Sequence, residues 1–267
     1  MKLVPADAAG DKAAVIVACG GTGARFSKSV AMGAEAGTRQ PIGLAPGYPS
    51  AKQFLMLAGR PVLSHTLGLL EKHPRIELVI LVLPEEHIAY GEMLVGGLWP
   101  NDGADAYLKV RFVVSGGDDR QGSVANGLAA LAAFGWEGPV LIHDGVRPCT
   151  PPSVFDRVIE GVLSRGNAVA AIPVRDTIKR AGGDGTVLET LDRSGLWQIQ
   201  TPQGFWMREL LEAYHEGRRR KLQVTDDAAL LESLGHEVYL VEGDPASLKL
   251  TYPGDAVLLE ALLRIQE

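Results

Sequence analysis

The chain has 267 residues, of which 46% are hydrophobic and 6% aromatic, as in a soluble α/β enzyme with an aliphatic core. The formal net charge of −6 argues against non-specific binding to nucleic acid, which needs a basic face. Two cysteines, Cys19 and Cys149, are too few for a disulfide framework or a CxxC metal site. No apolar stretch reaches the roughly 18 residues of a membrane span, and the N-terminus makes a poor signal peptide, so we expect a cytoplasmic protein without a membrane or nucleic-acid partner.

Short apolar runs alternate with amphipathic segments along most of the chain. The run at residues 13–18 (AAVIVA) predicts a strand that is buried on both faces. Further strands are predicted at 78–83, 110–114, 139–142, 168–173 and 238–241. Helices are predicted at 61–71, 122–133, 153–163, 207–218, 226–234 and from 255 onward. This alternation favours a parallel sheet with helices on both faces.

Two segments interrupt the alternation. Residues 27–50 are rich in Gly, Pro, Ala and Ser, and a loop of this length is expected to be functional, mobile or an insertion. Residues 174–198 are polar and contain Gly-Gly-Asp-Gly between two short β-like runs. That pattern is typical of a hairpin and predicts an arm that leaves the main sheet.

The first chemical signal is the glycine-rich segment CGGTGARF that follows the first predicted strand. Such a loop can turn its backbone N–H groups toward an anion, and Arg25 would add a positive charge. The segment lacks the GK[ST] of a P-loop, and Phe26 replaces the last glycine of a GxGxxG fingerprint. The alternative interpretation of this segment is a tight turn that binds no ligand. Lys52 supplies a second cation. The alternative interpretation of Lys52 is a solvated lysine at the start of a helix.

Two later turns add polar groups. GGDDRQGSV (residues 116–124) contains Arg120 as a neutralising charge and Ser123 as a helix N-cap. IHDGVRP (142–148) places Asp144 and Arg147 just beyond a buried strand, where open α/β sheets bind ligands and where a carboxylate can meet a ribose hydroxyl or Mg²⁺. His143 could act as a base, but a structural histidine is the favoured interpretation.

With IPVRDTIKR (172–180), DRSGLWQIQTPQGF (192–205), TDDAALLESLG (225–235) and VEGDPASLKLT (241–251), these motifs form an ordered series from Gly20 to Thr251. As a series, they resemble the 2-C-methyl-D-erythritol 4-phosphate cytidylyltransferase family of the non-mevalonate isoprenoid pathway. The resemblance covers nearly the whole chain except residues 27–50.

The resemblance implies an α/β fold with a Rossmann-like, doubly wound and mostly parallel sheet. It implies one nucleotidyltransferase domain over residues 1–267, with an insertion at 26–50 and a β-arm at 174–198 that holds a homodimer. The implied activity is Mg²⁺-dependent transfer of CMP from CTP to 2-C-methyl-D-erythritol 4-phosphate. Its products would be 4-diphosphocytidyl-2-C-methyl-D-erythritol and pyrophosphate.

The resemblance also implies site residues, each carried over by position. Arg25 and Lys52 would be catalytic. The CTP site would comprise Gly20, Gly21, Gly23, Gly117, Asp118, Ser123, Asp144 and Gly145. The methylerythritol phosphate would be held by Asp144, Arg147, Thr177, Arg193, Thr201 and Lys249. The metal ligands stay undetermined, because Mg²⁺ would be held mainly by the CTP phosphates with Asp144 as a candidate ligand.

The sequence departs from the family pattern in two places. Arg25 and Lys52 are 27 positions apart, whereas the family separates the pair by a handful of residues, and Ala51 stands where the family usually has proline. The residues also leave other functions open. These are a ribitol 5-phosphate cytidylyltransferase, a molybdopterin-type or sugar-1-phosphate nucleotidyltransferase, and a non-catalytic nucleotide-binding protein.

Overall fold

The strands and helices that the sequence predicts are present, and the structure adds a helix at Ile88–Val95 that the sequence pattern missed. The computed structural model describes residues 10–19, 49, 51–99 and 106–266. Its strands are β1 (Ala13–Ala18), β2 (Met56–Leu57), β3 (Arg60–Pro61), β4 (Ile76–Leu83), β5 (Val110–Ser115), β6 (Pro139–Asp144), β7 (Asn167–Pro173), β8 (Lys179–Ala181), β9 (Val187–Thr190), β10 (Trp197–Trp206) and β11 (Tyr239–Glu242). Its α-helices are α1 (Val62–Lys72), α2 (Ile88–Val95), α3 (Arg120–Phe134), α4 (Pro152–Arg165), α5 (Met207–Arg220), α6 (Asp227–Ser233) and α7 (Asp255–Gln266).

Seven of these strands form a mixed sheet in the order β11-β7-β10-β6-β1-β4-β5. The pairs β1–β4, β1–β6, β4–β5 and β11–β7 are parallel, whereas β10 runs antiparallel to both β6 and β7. The mostly parallel α/β sheet expected from the sequence is therefore confirmed. Because β1 and β6 are parallel neighbours, the segments that follow them lie at the same edge of the sheet.

Helices cover both faces of the sheet, which explains why β1 and β6 are apolar along nearly their whole length. One hydrophobic cluster packs residues of α3, α5 and α6 against the sheet, including Val124, Leu210 and Leu231. A second cluster packs α1, α2 and α4 against the opposite face, including Leu67 and Phe155. This arrangement is the doubly wound architecture that was expected.

The sequence pattern missed β10 as a long central strand. Its sequence, WQIQTPQGFW, has little apolar periodicity and includes Pro202, which cannot donate to a sheet ladder. The structure accommodates this proline where the register of β10 against β7 shifts, between Ile199 and Gln203. The strand is buried from residue 200 to 205. This burial results from its position between β6 and β7, since the sequence of β10 has no apolar periodicity that would indicate it.

The predicted hairpin is confirmed at β8 and β9, which pair with each other in a separate two-stranded sheet. The chain leaves the main sheet at the end of β7 and returns at the start of β10, where Trp197 pairs with Pro173. All residues of β8 and β9 are exposed, including Val187 and Leu188.

Most of the 26–50 insertion, together with Gly20, Gly21, Gly23 and Arg25, lies outside the described residues. Among the residues that are described, no helix combines the length and apolar character required to cross a bilayer.

Candidate active site

A small cavity lies where the carboxyl ends of β1 and β6 meet the start of α3. Ala18 and Asp144, the last residues of the two strands, are directly paired. The cavity has a volume of about 70 Å³, and its lining consists of Ala18, Cys19, Lys52, Gln53, Arg120, Ser123, Asp144, Val146 and Lys249. Sites of this kind form at the carboxyl edge of open α/β sheets.

Asp144 is the one carboxylate among the described residues that line the cavity. Its Oδ2 accepts from Nε of Arg147 at 3.0 Å and from Nζ of Lys249 at 3.0 Å. Burial alone would raise the pKa of Asp144, but Arg147 and Lys249 outweigh burial and hold the pKa well below its usual range. Asp144 is therefore ionised at neutral pH. Its Oδ1 has no hydrogen-bond partner among the described residues, so one oxygen remains available to a ligand.

The Lys249 segment is held in place by the segment that follows β6. Nη1 of Arg147 donates to the carbonyl oxygen of Ser247 at 2.5 Å. The N–H of Leu250 donates to the carbonyl oxygen of Val146 at 2.9 Å. Two predicted acceptor-binding residues, Arg147 and Lys249, are thus brought together with Asp144, although about 100 residues separate them along the chain.

Lys52 reaches the same cavity from a short 3₁₀ turn, Lys52–Phe54. Its Nζ lies 3.5 Å from the carbonyl oxygen of Leu250. Ala51, which precedes it, has φ −65° and ψ 135°, and proline favours the same φ. The backbone at Ala51 is therefore compatible with the proline that the family usually has at this position.

The glycine-rich turn before α3 is shaped by its own contacts. The side chain of Asp119 accepts from the N–H of Gly122 at 2.6 Å and caps the helix. The prediction of Ser123 as the N-cap was therefore wrong, because α3 begins three residues earlier. Instead, Ser123 Oγ accepts from the N–H of Gly117 at 3.1 Å. A Cβ on Gly117 would lie 2.8 Å from the carbonyl carbon of Gly122, so this turn requires glycine.

Arg120 is a cation of the cavity that the predicted site residues did not include. Its Nη2 lies 2.5 Å from Oδ2 of Asp227, and the hydroxyl of Tyr214 donates to Oδ1 of the same carboxylate at 2.6 Å. The segment Thr225-Asp226-Asp227 was interpreted as a helix cap, and Asp226 does cap α6. Asp227 has a different partner, Arg120, 107 residues away, and no local pattern indicates it.

Two other predicted site residues make close contacts within the protein. The hydroxyl oxygen of Thr201 accepts from the N–H of Asp144 at 3.1 Å and lies 3.1 Å from Nδ1 of His143. Gly145 packs so tightly that a Cβ on it would lie 2.2 Å from Sγ of Cys19. Both residues lie beside the cavity, and their contacts hold the end of β6 in place.

His143 is fully buried, and its ring centroid lies 5.0 Å from that of Phe155. Burial lowers the pKa of His143 to about 3, against the opposing effect of Asp144. The imidazole is therefore neutral at physiological pH. Its burial and its Thr201 contact support the structural interpretation of His143 over the base.

Thr177 and Arg193 are exposed on the arm. Arg193 donates from Nη1 to the carbonyl oxygen of Arg175, which is also in the arm. No hydrogen bond or ion pair among the described residues joins either side chain to the Asp144 cluster. Asp118 is exposed at the rim of the glycine-rich turn.

A divalent cation fits this site if phosphate oxygens supply most of its ligands. The part of the chain that the structure describes contains no group of three or more His, Cys, Asp or Glu side chains able to hold a metal ion. Asp144 could add one hard oxygen through Oδ1, the type of ligand that Mg²⁺ prefers. This donor set agrees with a metal that arrives with a nucleotide triphosphate.

Comparisons with known sequences and known structures lead to one family. A sequence profile of the 2-C-methyl-D-erythritol 4-phosphate cytidylyltransferases matches residues 30–265. The enzyme of that name from Pelotomaculum thermopropionicum is 37% identical over 258 residues, which is 96% of each chain. The one from Syntrophotalea carbinolica is 41% identical over 83% of this chain and 92% of its own. A crystal structure of 4-diphosphocytidyl-2C-methyl-D-erythritol synthase is 30% identical, has a TM-score of 0.71 and covers 94% of this chain and 98% of its own. The chain therefore belongs to the 2-C-methyl-D-erythritol 4-phosphate cytidylyltransferase family.

Proposed function

We propose that the chain transfers CMP from CTP to 2-C-methyl-D-erythritol 4-phosphate and releases pyrophosphate, a step in the synthesis of isoprenoid precursors. The observation that carries the proposal is the convergence of Lys52, Arg120 and Lys249 around Asp144 at the carboxyl edge of the sheet. This cavity is cationic although the chain is acidic overall. Its positive charge suits the phosphate groups of the two substrates.

The chemistry requires no general base from the protein. A phosphate oxygen of the acceptor attacks the α-phosphorus of CTP and forms a new P–O–P bond. The bond between the α-phosphorus and the bridging oxygen breaks, and pyrophosphate leaves with the electron pair. The second pKa of a phosphate monoester is about 6, so the nucleophile is mostly ionised at pH 7. A neutral, buried His143 agrees with this scheme.

What the reaction does require is positioning and charge stabilisation. We assign the triphosphate to Arg25 and Lys52, and the remaining CTP contacts to the predicted glycines with Asp118 and Ser123. The acceptor is assigned to Asp144, Arg147, Thr177, Arg193, Thr201 and Lys249. Mg²⁺, when bound with CTP, would neutralise phosphate charge, with Asp144 as its candidate protein ligand.

The arm suggests how the acceptor site is completed. Thr177 and Arg193 lie on the arm, and the exposed Val187 and Leu188 offer it apolar contact area. We therefore propose a homodimer in which each arm contributes to the partner's acceptor site. Val187→Asp/Leu188→Asp should yield monomers in analytical ultracentrifugation, and an unchanged dimer would contradict this role of the arm.

Residues 1–267 are proposed to form one nucleotidyltransferase domain, with 26–50 as an insertion and 174–198 as the arm. A cytoplasmic location is also proposed, because Cys19 and Cys149 are buried free thiols, as is usual in a reducing compartment. Limited proteolysis and fractionation of cells test these two statements. Cleavage into two stable folded fragments would contradict the single domain. Recovery of the protein outside the cytoplasm would contradict the cytoplasmic location.

The activity is tested by pyrophosphate release from CTP with a panel of acceptors. We expect release with 2-C-methyl-D-erythritol 4-phosphate and at least ten-fold less with ribitol 5-phosphate, the alternative acceptor. Replacement of CTP by ATP serves as the nucleotide control. Preference for ribitol 5-phosphate would replace the proposed acceptor, and CTP binding without release would indicate a non-catalytic protein.

A further inference from the structure

The Arg120 side chain enters the cavity from the first turn of α3. Its partner Asp227 stands at the first turn of α6, and Tyr214, the other partner of Asp227, is on α5. The guanidinium is therefore fixed by two further helices. The Arg120 side chain remains 30% exposed, whereas that of Asp227 is fully buried.

The contacts of Asp227 hold Arg120 in one orientation. Asp227 uses Oδ2 for Nη2 of Arg120 and Oδ1 for the hydroxyl of Tyr214, so both carboxylate oxygens have partners. Arg120 has no further hydrogen-bond partner for Nε or Nη1 among the described residues. One end of the guanidinium is anchored, and the rest can donate to a ligand.

A buried ion pair is weak evidence for stability, because desolvation of both charges offsets much of their attraction. If the Arg120–Asp227 ion pair served only to join α3 to α6, apolar side chains of similar volume would serve equally well. The local charge balance favours a ligand instead. Among the described residues that line the cavity, Lys52, Arg120 and Lys249 carry three positive charges and Asp144 carries one negative charge. The surplus favours an anion in the cavity.

We propose that Arg120 binds phosphate oxygens in this cavity as a further catalytic residue, and that Asp227 and Tyr214 are its positioning residues. The oxygens belong either to the triphosphate of CTP or to the phosphomonoester of the acceptor. An arginine suits both, because its planar fork can donate two parallel hydrogen bonds to phosphate. This inference rests on the proposed function and assigns it one more residue.

The decisive variant is the double substitution Arg120→Met/Asp227→Asn. It removes the cation without leaving an unpaired buried carboxylate, which would itself destabilise the fold. We expect a Tm within a few degrees of the wild type and a fall in kcat/KM of about 10²-fold or more, as for other charge-stabilising donors. The matched control is Arg219→Met/Glu216→Gln, which removes the ion pairs of Glu216 with Arg219 and Arg220 on the surface of α5 and should leave kcat/KM within about two-fold.

The KM values identify the phosphate source. A raised KM for CTP together with weaker pyrophosphate binding in calorimetry assigns Arg120 to the triphosphate, and a raised KM for the acceptor assigns it to the monoester. Either outcome supports the proposal. A folded double variant with kcat/KM within about three-fold of wild type overturns it.

A second variant, Arg120→Gln/Asp227→Asn, keeps hydrogen-bonding groups at both positions but carries neither charge. It decides the matter if Arg120→Met/Asp227→Asn does not fold, since an unchanged kcat/KM here overturns the proposal as well. Tyr214→Phe should lower kcat/KM less than either, because it loosens the anchor and keeps the cation. Failure of the proposed function is distinguishable, because the wild type itself would then release no pyrophosphate. Calorimetry with inorganic pyrophosphate would still compare wild type and variants.

Discussion

At the scale of single residues, Lys52 offers the most direct test of the catalytic assignment. Its Nζ lies at the cavity beside the segment that carries Lys249. If it stabilises developing charge on the triphosphate, Lys52→Ala should fold normally and lose about 10²–10³-fold in kcat. Steady-state pyrophosphate release measures this. Lys12→Ala, which removes an exposed lysine paired with Glu77, is the control, and wild-type turnover in Lys52→Ala would remove Lys52 from the mechanism.

Gly145 allows a test that separates packing from ligand binding. A Cβ on Gly145 would meet Sγ of Cys19 at 2.2 Å, so Gly145→Ala should destabilise the protein by about 1–3 kcal/mol. Cys19→Ala removes the clashing sulfur, and the double variant should recover most of the loss, with a coupling energy of about 1 kcal/mol or more. Urea unfolding of all four proteins measures the cycle.

The control for this cycle is Gly68→Ala, at a helical position with no atom within 4 Å of the added Cβ, which should be neutral or stabilising. Additive losses from Cys19→Ala and Gly145→Ala would show that the two side chains do not compete for the same space. Activity that stays low in a stable double variant would instead assign Gly145 to the nucleotide.

At the scale of elements, the turn that carries Lys52 should accept the family's proline. Ala51 has φ −65°, which is the value that a proline ring imposes. Its N–H donates no hydrogen bond among the described residues, so a proline at this position would remove none. Ala51→Pro should raise the free energy of unfolding by about 0.4–1 kcal/mol and leave kcat unchanged. Denaturant unfolding and the pyrophosphate assay check both. A drop in stability would show that the local path differs from that of a proline.

The sequence predicts elements whose burial follows a local period and misses those whose burial depends on distant neighbours. β1 is a continuous apolar run, and so is β4 from residue 78 to 83, so the expected strands match the observed ones within two residues. β10 is buried because β6 and β7 flank it, and its own residues do not show this. The same holds for the site. Asp144 follows a recognisable strand, but the pairing of Arg120 with Asp227 depends on how three helices pack.

At the scale of the whole molecule, buried titratable groups set the pH range of stability. Burial lowers the pKa of His143 to about 3 from an ordinary 6.5, so the unfolded state binds more protons than the folded state between these values. Stability from this group is complete above pH 6.5 and is lost as the pH falls, by up to about 1.4 kcal/mol per unit. His73, whose pKa is also lowered by burial, acts with the same sign.

The buried thiols limit the alkaline side. Burial raises the pKa of both Cys19 and Cys149 from 9.0 to about 12, so stability is complete below pH 9 and is lost above it as the unfolded thiols ionise. Tm from calorimetry should therefore be highest between about pH 6.5 and 9 and fall on both sides. Cys149→Ala should flatten the alkaline side and leave the acid side unchanged. A Tm that is constant between pH 5 and 7 would contradict the burial of a neutral His143.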